Sequence, residues 1–378
     1  MKKYFALIFI VFFFTAIVHT HAASLKTQFT NLVSGNNLQK SMQSACIVDQ
    51  KGAVLSYNAS APIIPASVSK LYTFDFALAT LPLDFHYTTT FYQNGTTLYI
   101  NGGGDPHFVI GHLRSVIKKI YDEQHVLLSR FVFSPNFYFN WNSAPKDVQW
   151  SMFTSLKEDA GAPIAKKIAV VIGTSAYSGK GNKYQFQSAP LTALLKQISD
   201  YSNNIAADTL FKRLGGSTAF AAYMQKTYGA DSTKVHFETG SGLSGNFTTC
   251  ALTISVIKHL DATLTADNLA LTDIIAVPHV DPGVLKDRLT SIDDTSAMVA
   301  KSGFVNFHHN LAGAINTKKG HVYFAVFAAF DDMKQSTSVK AMVDDFTTRI
   351  VAFYQSTLKP FSYTPDLSIF DNITVKKI

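Results

Sequence analysis

The sequence predicts a mixed α/β (α+β) protein in which an antiparallel sheet is flanked by helices and a subdomain is inserted into the chain. Two observations lead to this prediction. Segments with alternating apolar residues occur near both ends of the chain, at residues 45–57 and 298–329, which is typical of strands in one antiparallel sheet. The helical patterns between them lack the regular strand–helix alternation that predicts a parallel sheet.

The elements of the main domain can be placed in order. A strand pair is predicted at residues 45–57, around turn residues at 49–52. A buried helix is predicted at 66–80, because this segment follows Pro65 and is apolar on all sides. Further helices are predicted at 190–199, 204–214, 252–260 and 338–354.

An inserted subdomain is predicted at residues 85–186. It would begin with a hairpin at 88–101, since Asn94-Gly95 is a strong turn signal between alternating segments. A helix near 113–122 and strands at 128–136 and 166–174 would follow. With 378 residues, the chain is long enough for this insertion, and residues 23–84 and 187–378 would form the main domain.

The first 22 residues are typical of a secretory signal peptide. Lys2 and Lys3 precede an apolar stretch at 4–18, and a small-residue cleavage site ends at Ala22. This stretch is short for a bilayer span, although an uncleaved signal anchor is the alternative reading. We therefore expect an exported protein, periplasmic or otherwise in the cell envelope or outside it, with no transmembrane anchor after cleavage.

Charge and cysteine content exclude several classes of function. The net charge is +7, but no basic cluster is interleaved with aromatic residues, so no nucleic-acid partner is expected. The two cysteines, Cys46 and Cys250, cannot form a cysteine-based zinc site, and whether they pair is left open. Because the sequence has no His-Glu-x-x-His motif, we expect no metal and no other cofactor.

Ser67 and Lys70 are the first candidate catalytic residues. Residues three apart share a helix face, so the hydroxyl of Ser67 and the amine of Lys70 can meet. A serine hydroxyl needs a base to become a nucleophile, and a lysine can be that base when burial and a nearby cation disfavour its charged form. The Ser-x-x-Lys pattern alone is weak, because it also begins at Ser115, Ser143, Ser255 and Ser356.

Two later motifs complete a possible acyl-transfer site. Asn204 can orient Lys70 and a substrate carbonyl, and Ser202 can pass a proton to a leaving amine. Lys301 supplies the second cation, and Ser302 supplies a hydroxyl for a substrate carboxylate. Gly303 has no side chain, so an extended peptide could pair with its strand.

The ordered motifs resemble those of class C low-molecular-mass penicillin-binding proteins, the D-alanyl-D-alanine carboxypeptidase/endopeptidase family. The resemblance extends over most of the chain, from about residue 53 to residue 329. It rests on PASVSKL at 65–71, GGDP at 103–106, QSAPL at 187–191, SNNIAAD at 202–208, GSGLS at 240–244 and AKSG at 300–303.

This resemblance implies a penicillin-binding protein/β-lactamase-like transpeptidase fold and cleavage of peptidoglycan stem peptides. It also implies covalent capture by β-lactams as inhibitors. Ser67 would be the nucleophile and Lys70 the base, and the oxyanion would be held by the backbone N–H groups of Ser67 and Phe304. Phe304 departs from the family pattern, because a small hydroxyl residue is usual there.

Two other functions remain open from the sequence. One is a catalytically weak protein of the same fold that binds peptidoglycan or a partner, which the intact Ser67, Lys70, Asn204 and Lys301 argue against. The other is a related β-lactamase or esterase, for which no deacylating glutamate is evident.

Overall fold

The computed structural model describes residues 25–292, 295–365 and 374–378, so the predicted signal peptide lies outside the described residues. The chain divides into two compact units. The first contains the described residues through Ala79, together with Lys196–Asn204 and Phe211–Thr364. The second contains Thr80–Leu195, Ile205–Leu210 and the described residues from 365 to 378.

The helices and strands of both units are as follows. The helices are α1 (25–35), α2 (Ser69–Thr80), α3 (Ile110–Gln124), α4 (Pro145–Glu158), α5 (Leu191–Tyr201), α6 (Asn204–Arg213), α7 (Gly216–Tyr228), α8 (Cys250–Ala266) and α9 (Ser336–Tyr354). The strands are β1 (Ser44–Asp49), β2 (Gly52–Tyr57), β3 (Pro62–Ile63), β4 (Thr88–Asn94), β5 (Thr97–Asn101), β6 (Leu128–Phe133), β7 (Ile164–Ile172), β8 (Asn182–Gln187), β9 (Thr248–Thr249), β10 (Met298–Val305), β11 (His308–Thr317), β12 (Gly320–Ala329) and β13 (Thr374–Lys377). In the described part of the chain, no helix is both long and apolar enough to cross a bilayer.

The first unit is built on a five-stranded sheet with the order β10-β11-β12-β1-β2. All neighbouring strands are antiparallel, which confirms the predicted fold class. One face packs against α1 and α9, where the rings of Phe29 and Phe346 lie 4.9 Å apart. Strand β10 lies at one edge of the sheet, so one side of its backbone has no neighbouring strand.

The opposite face of this sheet carries Lys301 and a disulfide. Lys301 is opposite Ala312, which is opposite Ala325, which is opposite Cys46. Cys46 is bonded to Cys250, the first residue of α8, with their Cα atoms 6.0 Å apart, as is usual for a disulfide. The pairing that the sequence left open is therefore a bridge from the sheet to a helix.

The second unit contains a six-stranded sheet with the order β13-β8-β4-β5-β6-β7. Its β4–β5 hairpin forms as predicted, but its two turn residues are Gly95 and Thr96, because Asn94 pairs with Thr97. Two neighbouring pairs, β5–β6 and β6–β7, are parallel, because α3 and α4 connect their ends as crossover helices. Strand β13 also belongs to this sheet, whereas the sequence placed the C-terminal residues in the main domain.

Candidate active site

Ser67 lies in a 3-10 turn at Ala66–Val68, immediately before α2. The predicted helix thus begins three residues later than expected, because Ala66 has a φ of 49° and cannot continue a right-handed helix. This conformation is strained for a residue other than glycine, and such strain is typical of functional sites. The turn leaves Ser67 half-buried between buried neighbours, so its hydroxyl can reach a substrate.

The amine of Lys70 is held beneath this hydroxyl. Lys70 is fully buried, and its Nζ donates to Ser67 Oγ at 2.8 Å, to Asn204 Oδ1 at 2.7 Å and to the Ser241 carbonyl at 3.2 Å. All three oxygens thus lie within hydrogen-bond distance of this one amine. The structure therefore joins the first and second predicted motifs through one lysine.

Ser202 lies in the turn between α5 and α6, and Asn204 is the first residue of α6. The φ of Ser202 is 52°, a second left-handed residue within the site. Its Oγ accepts a hydrogen bond from Lys301 Nζ at 3.0 Å, and the same amine donates to the Ser302 carbonyl at 2.9 Å. The third motif is thereby joined to the second.

Burial lowers the pKa of Lys301 well below its usual value of 10.5, and the positive charges of Lys70 and Arg288 lower it further. Asp200 opposes this shift. A buried lysine with a lowered pKa can exist as a neutral amine, which can accept a proton. The site thus holds two buried amines, each hydrogen-bonded to a serine hydroxyl.

Gly303 allows the edge strand β10 to approach the turn that carries Ser67. A Cβ at this position would lie 2.6 Å from the Pro65 carbonyl and 3.2 Å from the Ser67 nitrogen. From the sequence, we expected Gly303 to let an extended peptide pair with its strand. In the structure, the space that a side chain would need is already occupied by the turn.

The free side of β10 presents alternate backbone groups. The N–H of Ala300 donates to the Ala276 carbonyl at 2.9 Å, so it points away from β11. In an antiparallel strand, successive residues direct their backbone N–H and C=O groups to opposite sides. The backbone groups of Ser302 and Phe304 therefore point to the same free side as those of Ala300. The N–H of Phe304 is therefore directed away from the sheet, as an oxyanion donor must be.

A supporting loop at residues 240–246 was not assigned a role from the sequence. In addition to the Ser241 carbonyl, Thr73 Oγ1 donates to the Gly240 carbonyl at 2.9 Å, and Asn246 Nδ2 donates to Ser69 Oγ at 3.1 Å. Gly242 has a φ of 83°, and a Cβ there would lie 1.9 Å from the Ala66 carbonyl. In the sequence, the two glycines that flank Ser241 indicate that this loop approaches another part of the backbone closely.

Apolar side chains adjoin the catalytic motifs at the surface. Phe304 is 52% exposed, and its ring stacks on His309 with centroids 4.5 Å apart. His309 stacks in turn on Phe330 at 5.6 Å and is buried. Other exposed apolar residues beside the motifs include Ile64, Tyr201 and Leu243.

The aromatic residues of the inserted part lie mostly in a core. Phe137 and Phe139 are buried in the second unit. Trp150 on α4 is 70% exposed, and Trp141 packs edge-on to His107 with centroids 5.0 Å apart. Asp105 accepts a hydrogen bond from the His107 N–H at 2.9 Å.

These groups have the chemistry of covalent acyl transfer. A serine hydroxyl bonded to a buried amine can become a nucleophile, and the amine can take its proton. Backbone N–H groups near the Ser67 turn and on the free side of β10 are suited to a negatively charged oxygen. All of these groups belong to the first unit.

Comparison with solved structures finds proteins of the same fold. The penicillin G-acylated predatory endopeptidase Bd3459 from Bdellovibrio bacteriovorus, in complex with immunity protein Bd3460, is 25% identical, with a TM-score of 0.73 over 87% of this chain and 96% of that chain. Penicillin-binding protein 4 from Haemophilus influenzae is 17% identical, with a TM-score of 0.65 over 85% of this chain and 99% of that chain. The fold is therefore that of penicillin-binding proteins, as predicted.

Sequence comparison identifies the family. The penicillin-sensitive carboxypeptidase A of Dictyostelium discoideum is 23% identical over 231 residues, which cover 56% of this chain and 43% of that relative. The chain thus matches less than half the length of that protein. The family model of the D-Ala-D-Ala carboxypeptidase 3 (S13) family matches residues 25–124 and 145–350. The chain belongs to this family, which confirms the resemblance drawn from its motifs.

Proposed function

We propose that the protein is a serine-type D-Ala-D-Ala carboxypeptidase/endopeptidase that cleaves peptidoglycan stem peptides through an acyl-enzyme on Ser67. The observation that carries this proposal is the position of Lys70 Nζ, 2.8 Å from Ser67 Oγ and 2.7 Å from Asn204 Oδ1. In this geometry one amine can take the proton of the nucleophile while an amide fixes its direction.

In the acylation step, Ser67 Oγ attacks the carbonyl carbon of the scissile amide and its proton passes to neutral Lys70. The resulting oxyanion accepts hydrogen bonds from the N–H groups of Ser67 and Phe304. When the C–N bond breaks, Lys70 gives up this proton, which passes through the Ser202 hydroxyl to the leaving amine. Lys301 holds that hydroxyl at 3.0 Å, and Lys70 is then neutral again. The products of this step are the acyl-enzyme and a free amine.

Deacylation reverses these roles with water as the nucleophile. Lys70 takes a proton from the water, the hydroxyl attacks the ester carbonyl, and the C–O bond to Ser67 breaks. The proton returns to Ser67 Oγ, so the enzyme is regenerated and the peptide leaves as a carboxylic acid. Ser302 and Gly303 belong to the free strand along which the substrate would extend.

β-Lactams would be covalent inhibitors through the same first step. Opening of the lactam ring forms the ester with Ser67, and the amine produced stays attached to the inhibitor. Bd3459 is a relative that penicillin G acylates. No metal or other cofactor takes part in the proposed steps.

Within this activity, we propose that cross-link cleavage is favoured over removal of a terminal D-alanine. A terminal carboxylate needs donors or cations beside the free strand. At that place the chain has the exposed ring of Phe304 instead of a hydroxyl. The scissile bond of a cross-link need not lie beside a terminal carboxylate.

The proposed location is outside the cytoplasm, in the periplasm or elsewhere in the cell envelope. Two observations support it: the signal-peptide pattern at residues 1–22 and the Cys46–Cys250 disulfide. The proposed substrate belongs to the cell wall, which agrees with this location. Disulfides persist in oxidising compartments and are rare in the cytosol.

Labelling with a fluorescent penicillin tests the proposed function. Wild type should form a covalent adduct that mass spectrometry locates on Ser67, and Ser67→Ala should form none while remaining folded. A non-catalytic binding protein would show no adduct. A β-lactamase or esterase would release the label within minutes, so persistence of the adduct separates it from the proposed enzyme.

A further inference from the structure

One face of the six-stranded sheet in the second unit is open to solvent, while the other covers the core of that unit. A single row of directly opposed residues crosses five strands on the open face. Along this row stand Lys183, Tyr92, Tyr99, Val132 and Val171. Side chains of directly opposed residues lie on the same side of a sheet, so this row forms one continuous surface.

Aromatic rings form a fixed ridge on this face. The ring of Tyr177 stacks on Tyr99 with centroids 3.7 Å apart, and the edge of Tyr92 lies 5.5 Å from Tyr177. The side chain of Asn101 holds the backbone of Tyr177 by two hydrogen bonds of 2.8 Å, one to its N–H and one to its carbonyl. The rings are therefore positioned before any ligand arrives.

The charged side chains at the strand positions of the open face are all positive. The Nζ of Lys183 lies over the ring of Tyr92 at 5.7 Å. Arg130 is directly opposite Thr97, and Lys376 is directly opposite Gln185. Among the described residues, these three cations form no ion pair, and the strand positions on this face include no acidic residue.

The acidic residues of this unit that form ion pairs belong to other elements. Asp122 and Glu123 on α3 pair with lysines of the same helix, and Asp159 pairs with Arg114. The cations of the open face are thus available to attract an anionic partner.

We propose that this open face binds a glycan strand that carries carboxylate groups. The flat row suits an extended polymer, and the apolar faces of sugar rings can pack against the tyrosine ridge. Gln185 and Thr90 are directly opposed beside the row, where their amide and hydroxyl can bond to sugar hydroxyl and acetamido groups. Lys183, Arg130 and Lys376 would attract the carboxylates.

A carboxylated glycan fits this face better than a nucleic acid does. Single-stranded nucleic acids bind by stacking successive bases on free aromatic faces, whereas Tyr99 and Tyr177 each cover one face of the other. The proposal rests on the proposed function in one respect only. The glycan is the part of peptidoglycan to which the stem peptides of that function are attached.

A pull-down on beads that carry covalently attached glycan tests this proposal. The probe is peptidoglycan from which an amidase has removed the peptides, so that each former attachment point is a carboxylate. The test variant is Arg130→Glu/Lys183→Glu. The control is Lys226→Glu/Lys258→Glu, which makes the same change of net charge at exposed lysines of the first unit.

Wild type and the control should bind alike, and the test variant should bind at least about tenfold more weakly. Binding by wild type should also weaken between 0.1 and 1 M salt, as the Debye length falls from about 10 Å to about 3 Å. Equal binding by both variants would overturn the proposal. So would tighter wild-type binding to a single-stranded oligonucleotide than to the glycan.

Penicillin labelling of the same samples separates this proposal from the proposed function. Both variants should be labelled at Ser67 as fast as wild type, because none of the changed residues belongs to the site. A protein that binds the glycan but takes no label would contradict the proposed function alone. A protein that is labelled normally but shows no glycan binding would contradict this inference alone.

Discussion

The ring of Phe304 lies nearly parallel to the imidazole of His309, with the two planes 19° apart and the centroids separated by 4.5 Å. His309 is fixed from the other side by Phe330 and by a hydrogen bond of 2.9 Å to Ser336. Burial lowers the pKa of His309 to about 4, and the charge of Arg288 adds to this shift, so the imidazole is neutral at physiological pH. The exposed ring of Phe304 is therefore supported by a neutral aromatic stack.

Phe304→Thr should increase cleavage of a pentapeptide relative to cleavage of a cross-linked dimer. A hydroxyl there can donate to the terminal carboxylate, and such a charge-assisted bond is worth about 1.5–3 kcal/mol, or about one to two powers of ten in rate. The measurement is kcat/KM on both substrates. Phe307→Thr, at another exposed phenylalanine, is the control and should leave the ratio unchanged. Strong pentapeptide cleavage by wild type, unimproved in Phe304→Thr, would contradict the proposed preference.

Gly303→Ala should slow acylation by about a hundredfold while the protein stays folded. The new Cβ would lie 2.6 Å from the Pro65 carbonyl, so β10 or the Ser67 turn must move, and a displacement of about 1 Å can cost this much in rate. Stopped-flow labelling gives the rate, and circular dichroism monitors the fold. Gly111→Ala is the matched control, because nothing lies within 4 Å of its added Cβ. A wild-type rate in Gly303→Ala would show that this contact does not position the nucleophile.

Lys301→Met should make the protein more stable but much less active. The folded-state pKa of Lys301 lies below the unfolded value of 10.5, so the unfolded chain binds more protons between these two values. Stability of the wild type therefore rises with pH across that window. The variant should lack this rise and should have a higher Tm at neutral pH, with acylation greatly slowed. The control Lys340→Met, at an exposed lysine, should change neither the Tm nor the acylation rate. If the stability of Lys301→Met depended on pH as that of the wild type does, the prediction would be contradicted.

His259→Gln should lose stability in acid but not in base. Its Nδ1 lies 2.7 Å from Asp75 Oδ1, and this hydrogen bond raises the pKa of His259 above its usual 6.5. A raised pKa stabilises the folded state below the unfolded value, and the effect disappears as pH rises through the folded value. Because His259 is 40% exposed, solvent screening limits the loss to about 0.5–1 kcal/mol. Urea unfolding at pH 5.5 and pH 9 measures this loss in the free energy of unfolding, with Lys258→Gln on the same helix as the control. An equal loss at both pH values would exclude the ion pair as its cause.

Asp75 shows why the His259 contact matters beyond its own energy. The second carboxylate oxygen of Asp75 accepts from Tyr223 at 2.6 Å and from Tyr228 at 2.5 Å. Asp75 lies on α2, the helix that follows the nucleophile, and the two tyrosines lie on α7. This buried carboxylate thus connects three helices behind the site.

The local part of the site could be predicted from the sequence. Ser67 and Lys70 are three residues apart, and both helical and 3-10 geometry place such residues on one face. The signal for the β4–β5 hairpin was also local, because it consists of the adjacent residues Asn94 and Gly95. The contact between Lys301 and Ser202 could only be inferred from the order of the motifs, because 99 residues separate them in the chain.

The parts that the sequence did not predict depend on distant residues or on mixed patterns. Helix α4 was missed, although Val148, Met152 and Leu156 are its buried residues at helical spacing, because the surrounding stretch is polar and aromatic. Without α4, the parallel pairing of β6 and β7 could not be expected. His309 is buried by rings from β10 and from the residue after β12, and no local pattern indicates that.

The Cys46–Cys250 bridge closes a covalent loop of 204 residues, which contains Ser67, Asn204 and the second unit from Thr80 to Leu195. A protease that cuts once inside this loop cannot divide the molecule, because the bridge still joins the two fragments. After a cut between Thr80 and Leu195, Ser67 would remain covalently connected to Lys301. The two fragments of such a nicked enzyme would separate only after the disulfide is reduced.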